Sequence, residues 1–418
     1  MKQRLSVIVN YINLLSLLCL TFGLLFPFSP LIQILYYIFF GSYTIEIFTD
    51  RKWKVFYFDR SKRYYIAMAL FFLLAIIYMP FEKTNEYTLI LLERRSALIG
   101  FAIIGFLGVN RLYQLKYFLY AFVSASIISI LYLLFYRIGI YEFITSDDPS
   151  ELFTQTRILY IGSHMKLNLY LNISIISIWY ILKNNWKNLS HWKLAFFVIA
   201  LTIILSVLSI SEGRTGFMTG VLLLLAFIFI ELYTRRKKVG IVFAFILPLL
   251  FIGIASNQKR IQKENSIKED ARTFLWKSAW EVIKESPLLG HGMNDAQVAF
   301  DEKLSLYQTE SFRQQSIESE KERNEKYQDS HNQYLQATME FGVLGLVLFL
   351  FICLYPAFVA YKGRKLFTIF IVSLYIFLSI FDMYITRLYC PIFGILTIMV
   401  LGIEQKEEYS YKKIKIAT

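Results

Sequence analysis

Apolar residues run through this chain in long unbroken blocks, not in alternation with polar ones. Blocks of about 17 to 25 residues recur from end to end, the length a helix needs to cross about 30 Å of hydrocarbon. They fall at about 5–28, 31–48, 64–81, 96–110, 117–137, 165–183, 194–210, 216–233, 239–256, 333–359, 366–386 and 388–404. The pattern predicts about twelve transmembrane helices, an all-α polytopic membrane protein. Strands do not fit it, because the blocks are continuous and open sheet edges cannot sit in lipid. The first block follows Lys2 and Arg4 as a secretory signal would. It has no small-residue cleavage site and exceeds a signal core, so it reads as a retained helix.

One connection differs from the others, the segment 257–330. It is long enough to fold as a cap, and its 12 basic and 14 acidic residues nearly cancel. Ser266-Ile-Lys-Glu269 has the form of a capping box, and Ser286-Pro287 with Gly290 and Gly292 supplies a stop. Between them Leu275, Trp276, Ala279, Trp280 and Ile283 form an apolar stripe at helical spacing, with Lys277, Glu281, Lys284 and Glu285 opposite. Such a helix is expected at the membrane surface, with its tryptophans at headgroup level. The stretch from Glu310 to Asp329 is polar and is expected to be loosely ordered. Three regions follow: 1–193 with the N-terminal spans, 194–360 as a core that includes the 257–330 loop, and 361–418 with the last spans and a tail.

The composition agrees with a membrane chain: of 418 residues, 56% are hydrophobic and 18% charged, which excludes a disordered chain and argues against a soluble enzyme. A formal charge of +13 would suggest nucleic acid in a soluble protein. Here the charge divides by side. With the N-terminus inside, the inner connections hold 24 basic and 7 acidic residues, and the outer ones 20 and 24, giving +17 and −4. That is the positive-inside asymmetry, and no nucleic-acid partner is called for. Cys19, Cys353 and Cys390 lie in apolar runs without metal-ligand spacing, so neither a disulfide framework nor zinc is expected.

Against this background a few outer residues stand out. Ser211-Glu212-Gly213-Arg214-Thr215-Gly216 joins two spans with almost no loop, putting an arginine at the outer boundary against the charge rule. Its simpler reading is a snorkelling anchor or an ion pair with Glu212. Arg272 lies four residues before Trp276, on the apolar stripe, where it must be paired or meet an anion. His331 stands in Asp329-Ser330-His331-Asn332-Gln333-Tyr334, where the outer loop re-enters the membrane, and an imidazole can accept a proton near neutral pH. Asn332 and Tyr334 are candidates to support it. His164, His191 and His291 read as polar loop or boundary residues, and Tyr160, Asn168 and Asn172 as helix packing with a lesser claim to line a groove. Asp382 and Arg387 flank an outer span end and are expected to pair. Nucleotide, dinucleotide and metal-hydrolase motifs are missing from the sequence. Arginines and a histidine suit transfer from a donor that carries its own diphosphate leaving group, with bidentate arginines holding the diphosphate and the histidine deprotonating a hydroxyl.

At these residues the chain resembles the O-antigen ligase and O-antigen polymerase superfamily. The resemblance rests on Gly213-Arg214-Thr215-Gly216, on Arg272 with Trp276, Ala279 and Pro287-Leu288-Leu289-Gly290-His291-Gly292, and on His331-Asn332-Gln333-Tyr334-Leu335-Gln336 followed by Glu340-Phe341-Gly342-Val343-Leu344-Gly345. It implies a lipid-donor glycosyltransferase of the GT-C type in the bacterial inner membrane, with cytoplasmic termini and a periplasmic active site. Members move a glycan from undecaprenyl diphosphate to a hydroxyl of the lipid A core, of another lipid-linked glycan, or of a protein. The same resemblance implies that Arg214 and Arg272 bind the diphosphate, that His331 is the general base, and that the reaction inverts the anomeric centre without metal or cofactor. Glu212 before the arginine turn departs from the pattern, and the lack of a further domain after the last span speaks against a protein acceptor. A polytopic transporter is the alternative of another class. It would require ionisable residues at mid-membrane, where these spans are nearly free of them.

Overall fold

The computed structural model of the chain describes residues 2–25, 29–49, 62–83, 88–107, 112–146, 164–211, 214–256, 271–308, 329–363, 365–386 and 392–397. Among them the regular structure is helical, without strands: α1 (Lys2–Leu25), α2 (Ser29–Thr49), α3 (Lys62–Tyr78), α4 (Thr88–Leu107), α5 (Leu112–Tyr132), α6 (Ile140–Thr145), α7 (His164–Asn185), α8 (His191–Ile210), α9 (Arg214–Arg235), α10 (Lys237–Ser256), α11 (Ala271–Glu285), α12 (Met293–Tyr307), α13 (Gln333–Lys362) and α14 (Leu366–Leu378). Eight described helices are long and apolar enough to cross a membrane. The expected spans at 96–110, 239–256 and 366–386 form α4, α10 and α14, but α14 stops at Leu378 and residues 379–386 turn instead. Of 388–404, residues 392–397 are described, and they are helical.

The helices form for the reason the blocks suggest: a backbone in hydrocarbon must bond to itself. Hydroxyls inside them bond back along their own helix, as Thr21 does to the Leu17 carbonyl (2.7 Å) and Ser177 to that of Ile173 (2.7 Å). Large apolar side chains such as Phe245, Leu249, Ile199 and Val347 face outward, as lipid contact requires.

Packing divides the chain into two units interleaved in sequence. One comprises 11–39 and 113–267. Its centre is α7, which packs on α8 and α9. Ser174 shares a hydrogen bond with Ser126 of α5 (2.9 Å), and Trp179 stacks on Phe227 of α9 at 4.4 Å. The Asn172 amide donates to the carbonyls of Asn168 (2.8 Å) and Gly216 (3.0 Å), while Ser211 donates to Asn168 Oδ1 (3.1 Å). Asn172 thus fastens α7 to the first turn of α9, and Asn168 fastens it to the end of α8. A Cβ at Gly216 would collide with Asn168, which accounts for that glycine.

The other unit comprises 1–10, 40–112 and 268–418. Its hub is α13, against which α3, α11, α12 and α14 pack. The apolar stripe on α11, expected to face the membrane surface, packs against protein instead. Leu275, Ala279, Val282 and Ile283 bury against Ala296, Phe300 and Leu304 of α12 and Met339 of α13, leaving Trp280 53% exposed. Lys62, counted above as a topology charge, is buried and donates to the Gly105 (3.2 Å) and Phe106 carbonyls, closing the C-terminus of α4. After α3, the Glu82 carboxylate accepts from the Asn294 N–H (3.1 Å) and the Lys83 N–H donates to Asp295, docking this turn on the start of α12. Burial pushes the Glu82 carboxyl above its ordinary range, against the opposing pull of the Asn294 and Met293 N–H groups.

The helix α13 breaks at Phe341 (φ −130°, ψ 15°) and Gly342 (φ 61°, ψ −153°). Three backbone groups lose their helical partners there, and the turn 286–292 after α11 replaces them. His291 N–H donates to the Met339 carbonyl (2.9 Å), Gly292 N–H to that of Glu340 (2.8 Å), and Val343 N–H to that of Pro287 (3.1 Å). Tyr78 of α3 completes the joint, donating to the Leu289 carbonyl (2.6 Å) with its ring edge-on to Phe341. Gly342 occupies a backbone region open essentially to glycine alone, and a Cβ there would strike the Leu288 carbonyl. Gly342→Ala is therefore expected to lower stability by about 1–3 kcal/mol from backbone strain, plus the clash. Gly41→Ala, where a Cβ meets nothing within 4 Å, should leave the unfolding midpoint of the detergent-purified protein unchanged or slightly raised.

Candidate active site

The break in α13 lies two turns after the residues that enter it, and those residues form the most constrained polar site in this unit. Asn332 caps the helix: its Oδ1 accepts from the N–H groups of Tyr334 (3.0 Å) and Leu335 (3.1 Å). His331 stands immediately outside the cap at φ +46°, the one non-glycine positive φ among the described residues. Holding a histidine there costs about 1–3 kcal/mol, a strain that persists only where neighbours over-determine it. The Asp329 carboxylate is one such neighbour, accepting the His331 N–H at 3.0 Å across a short turn.

The imidazole is part-exposed, and its Nδ1 faces the buried carboxylate of Asp382 at 3.3 Å, with Asp329 Oδ1 at 3.6 Å. An Nδ1–H donated to a carboxylate leaves Nε2 with its lone pair, the form a general base requires. Asp382 is itself held, since its Oδ1 also accepts the Met383 N–H (2.8 Å). Arg387, expected as its partner, lies outside the described residues. The turn around Asp382 is clamped by Gln333, whose N–H donates to the Ser379 carbonyl (2.9 Å). Its Oε1 accepts from the Ile385 N–H (3.2 Å), the Thr386 N–H (3.3 Å) and the Thr386 hydroxyl (3.0 Å). These bonds explain why α14 ends early: its would-be continuation is taken up by Gln333. Tyr334 donates to the Ile376 carbonyl (2.8 Å), so it fixes α14.

Arg272, in the first turn of α11, stacks its guanidinium over the Phe381 ring at 5.3 Å. Trp276, one turn on, packs on the same ring at 6.5 Å. Phe381 precedes Asp382, so Arg272 and His331 contact adjacent residues of one short turn. Arg214 is the first residue of α9, in the other unit, and its guanidinium is not among the described side chains; Glu212 lies outside the described residues altogether. His291 is occupied structurally, with Nε2 3.1 Å from the Val282 carbonyl. His191 opens α8 and is exposed, and His164 opens α7. Asp329, His331 and Asp382 each offer a potential ligand atom within 4.8 Å of the others, a set with the donors to hold a divalent cation.

Behind His331 lies a polar chain that the sequence reading passed over. Arg95 of α4 forms a buried ion pair with Glu340 of α13, at 2% and 1% side-chain exposure. The Gln336 amide donates to Glu340 Oε1 (2.8 Å), and Ser330 donates to Gln336 Oε1 (3.0 Å). The available signal was an ionisable residue inside an apolar block, which Glu340 is, while Arg95 stands immediately before one.

Residues 197–350 match the Wzy_C family, described as O-Antigen ligase, from within α8 to within α13 and across Arg214, Arg272 and His331. Over these residues the multi-pass membrane protein is similar to the O-antigen ligase-related superfamily. An uncharacterized protein of Haemophilus influenzae is 25% identical over 291 residues, which cover 65% of this chain and 66% of the relative. No solved structure matches.

If Asp382 sets the imidazole tautomer, Asp382→Asn should cut turnover about 10²- to 10⁴-fold while the protein remains folded, because an asparagine amide can donate to Nδ1 and so protonate the wrong nitrogen. Turnover and thermal unfolding measured on the same preparation separate the two effects.

Proposed function

We propose that the protein transfers a glycan from undecaprenyl diphosphate to an acceptor hydroxyl, as an O-antigen ligase acting on the lipid A core. The observation that carries this reading is the strained, carboxylate-backed His331 and the Arg272 guanidinium, both inside the segment matching the O-antigen ligase family and both in contact with the Phe381–Asp382 turn. His331 Nε2 takes the acceptor proton as the hydroxyl oxygen attacks the anomeric carbon. The bond from that carbon to the diphosphate breaks with inversion, and the lipid diphosphate leaves. Arg272 and Arg214 bind it and stabilise its growing charge. Asp382 stabilises the imidazolium, which later gives up its proton. The reaction is metal-independent, occurs on the periplasmic side of the inner membrane, and leaves both termini in the cytoplasm. Polymerisation of lipid-linked repeat units uses the same chemistry with another acceptor.

Arg214→Ala, Arg272→Ala and His331→Ala should each abolish long-chain surface glycan while the protein stays in the membrane at normal abundance. Wild-type glycan from all three would sink the assignment and revive the transporter reading. The lipid carrier then separates the two members of the class: full-length polymer accumulating on it in a deletion strain marks a ligase, a single repeat unit a polymerase. Activity in membranes treated with EDTA should be unchanged.

A further inference from the structure

The Arg95–Glu340 pair is the most expensive feature of the described structure, and stability does not account for it. Burying two charges costs several kcal/mol per ion, and well-packed apolar replacements are often as stable or more so. The guanidinium is not even fully used: Arg95 Nε and Nη1 are buried with no hydrogen-bond partner, as is Glu340 Oε2. What the pair does supply is direction.

We propose that Arg95, Glu340, Gln336 and Ser330 form a positioning relay that holds His331 in its reactive conformation; this rests on His331 being the general base. An ionised carboxylate only accepts, so the Gln336 group facing Glu340 at 2.8 Å must be its NH₂. The amide carbonyl is thereby forced toward Ser330, where it accepts from Ser330 Oγ (3.0 Å) and approaches the Ser330 N–H (3.4 Å). Ser330 Oγ also lies 3.0 Å from the Asn332 carbonyl, so the two residues flanking His331 are tied to each other and to the second turn of α13. That tie is what a histidine at φ +46° needs. Arg95 and the Gln336 NH₂ both meet Glu340 Oε1, so the pair fixes the carboxylate that holds the amide. Without the Glu340 carboxylate, the Gln336 amide would lose the acceptor that orients it and could turn over. Its NH₂ would then confront the Ser330 N–H, donor against donor, and the turn would lose its anchor. The relay thus converts a charge on α4 into the orientation of an imidazole at the start of α13.

The test uses full-length protein with ¹⁵N-labelled histidine in liposomes, the His331 signal being assigned by its loss in His331→Ala. The double variant Arg95→Met/Glu340→Met removes the charges together and leaves neither unpaired. Gln336→Met breaks the relay while leaving the ion pair intact, and decides the matter should the double variant not fold. The wild type should show one His331 tautomer, protonated at Nδ1. Both variants should unfold within a few degrees of wild type, show mixed tautomers, and lose about 10- to 100-fold in glycan transfer rate in cells at equal abundance. A single unshifted tautomer in a folded variant overturns the relay, as does a changed tautomer with wild-type transfer. Full glycan output from His331→Ala would instead overturn the general-base reading, a distinct result.

Discussion

An apolar helix that stops and restarts inside the protein leaves backbone groups that must find partners, and this requirement organises the unit around α13. The break at Phe341–Gly342 exposes the Met339 and Glu340 carbonyls and the Val343 N–H, and the turn 286–292 meets all three. Because that turn is the end of α11, the repair also fixes α11 and, through their shared apolar core, α12. Arg272 is carried on α11, and His331 enters α13 two turns before the break. The joint therefore sets the separation of the residues that the chemistry would need.

Two of the glycine-containing motifs of the resemblance gain a physical reading from this. Pro287-Leu288-Leu289-Gly290-His291-Gly292 and Glu340-Phe341-Gly342 are the two halves of one joint. Gly290 (φ +75°) and Gly342 (φ +61°) each lie where a Cβ would strike the opposite half. His291 is part of the same fastening, through its N–H to Met339 and its ring to Val282, and is not a second base. The polar run after His331 divides labour in a similar way. Asn332 caps the helix, Gln333 clamps the Asp382 turn, Tyr334 holds α14, and Gln336 reaches back to Ser330.

Charge in this protein has two unlike roles. The many exposed basic residues at the connections follow the side of the membrane, and their total says little about chemistry. Several buried charges are engaged in this way: Lys62 on the last carbonyls of α4, Arg95 with Glu340, and Asp329 and Asp382 beside His331. A group whose desolvation is this costly is retained where it fixes something that apolar packing leaves free, such as a helix end or a ring orientation.

The helical, membrane-spanning character of the chain was legible in its sequence, because hydrocarbon imposes one backbone solution on a long apolar block. His331 and Arg272 were legible as well, since polar residues at such positions go against local cost. The end of α14 was not, because residues 379–386 are apolar enough to continue a helix and are diverted by Gln333, a residue some fifty positions earlier. The stripe on α11 showed that the helix buries one face, but amphipathic spacing is the same whether that face meets lipid or α12. The partner of His331 and the pairing of Arg95 with Glu340 were decided by the tertiary structure alone. Each joins residues at least fifty apart through a single hydrogen bond, and the local spacing of a sequence does not encode which distant carboxylate will close on a given cation.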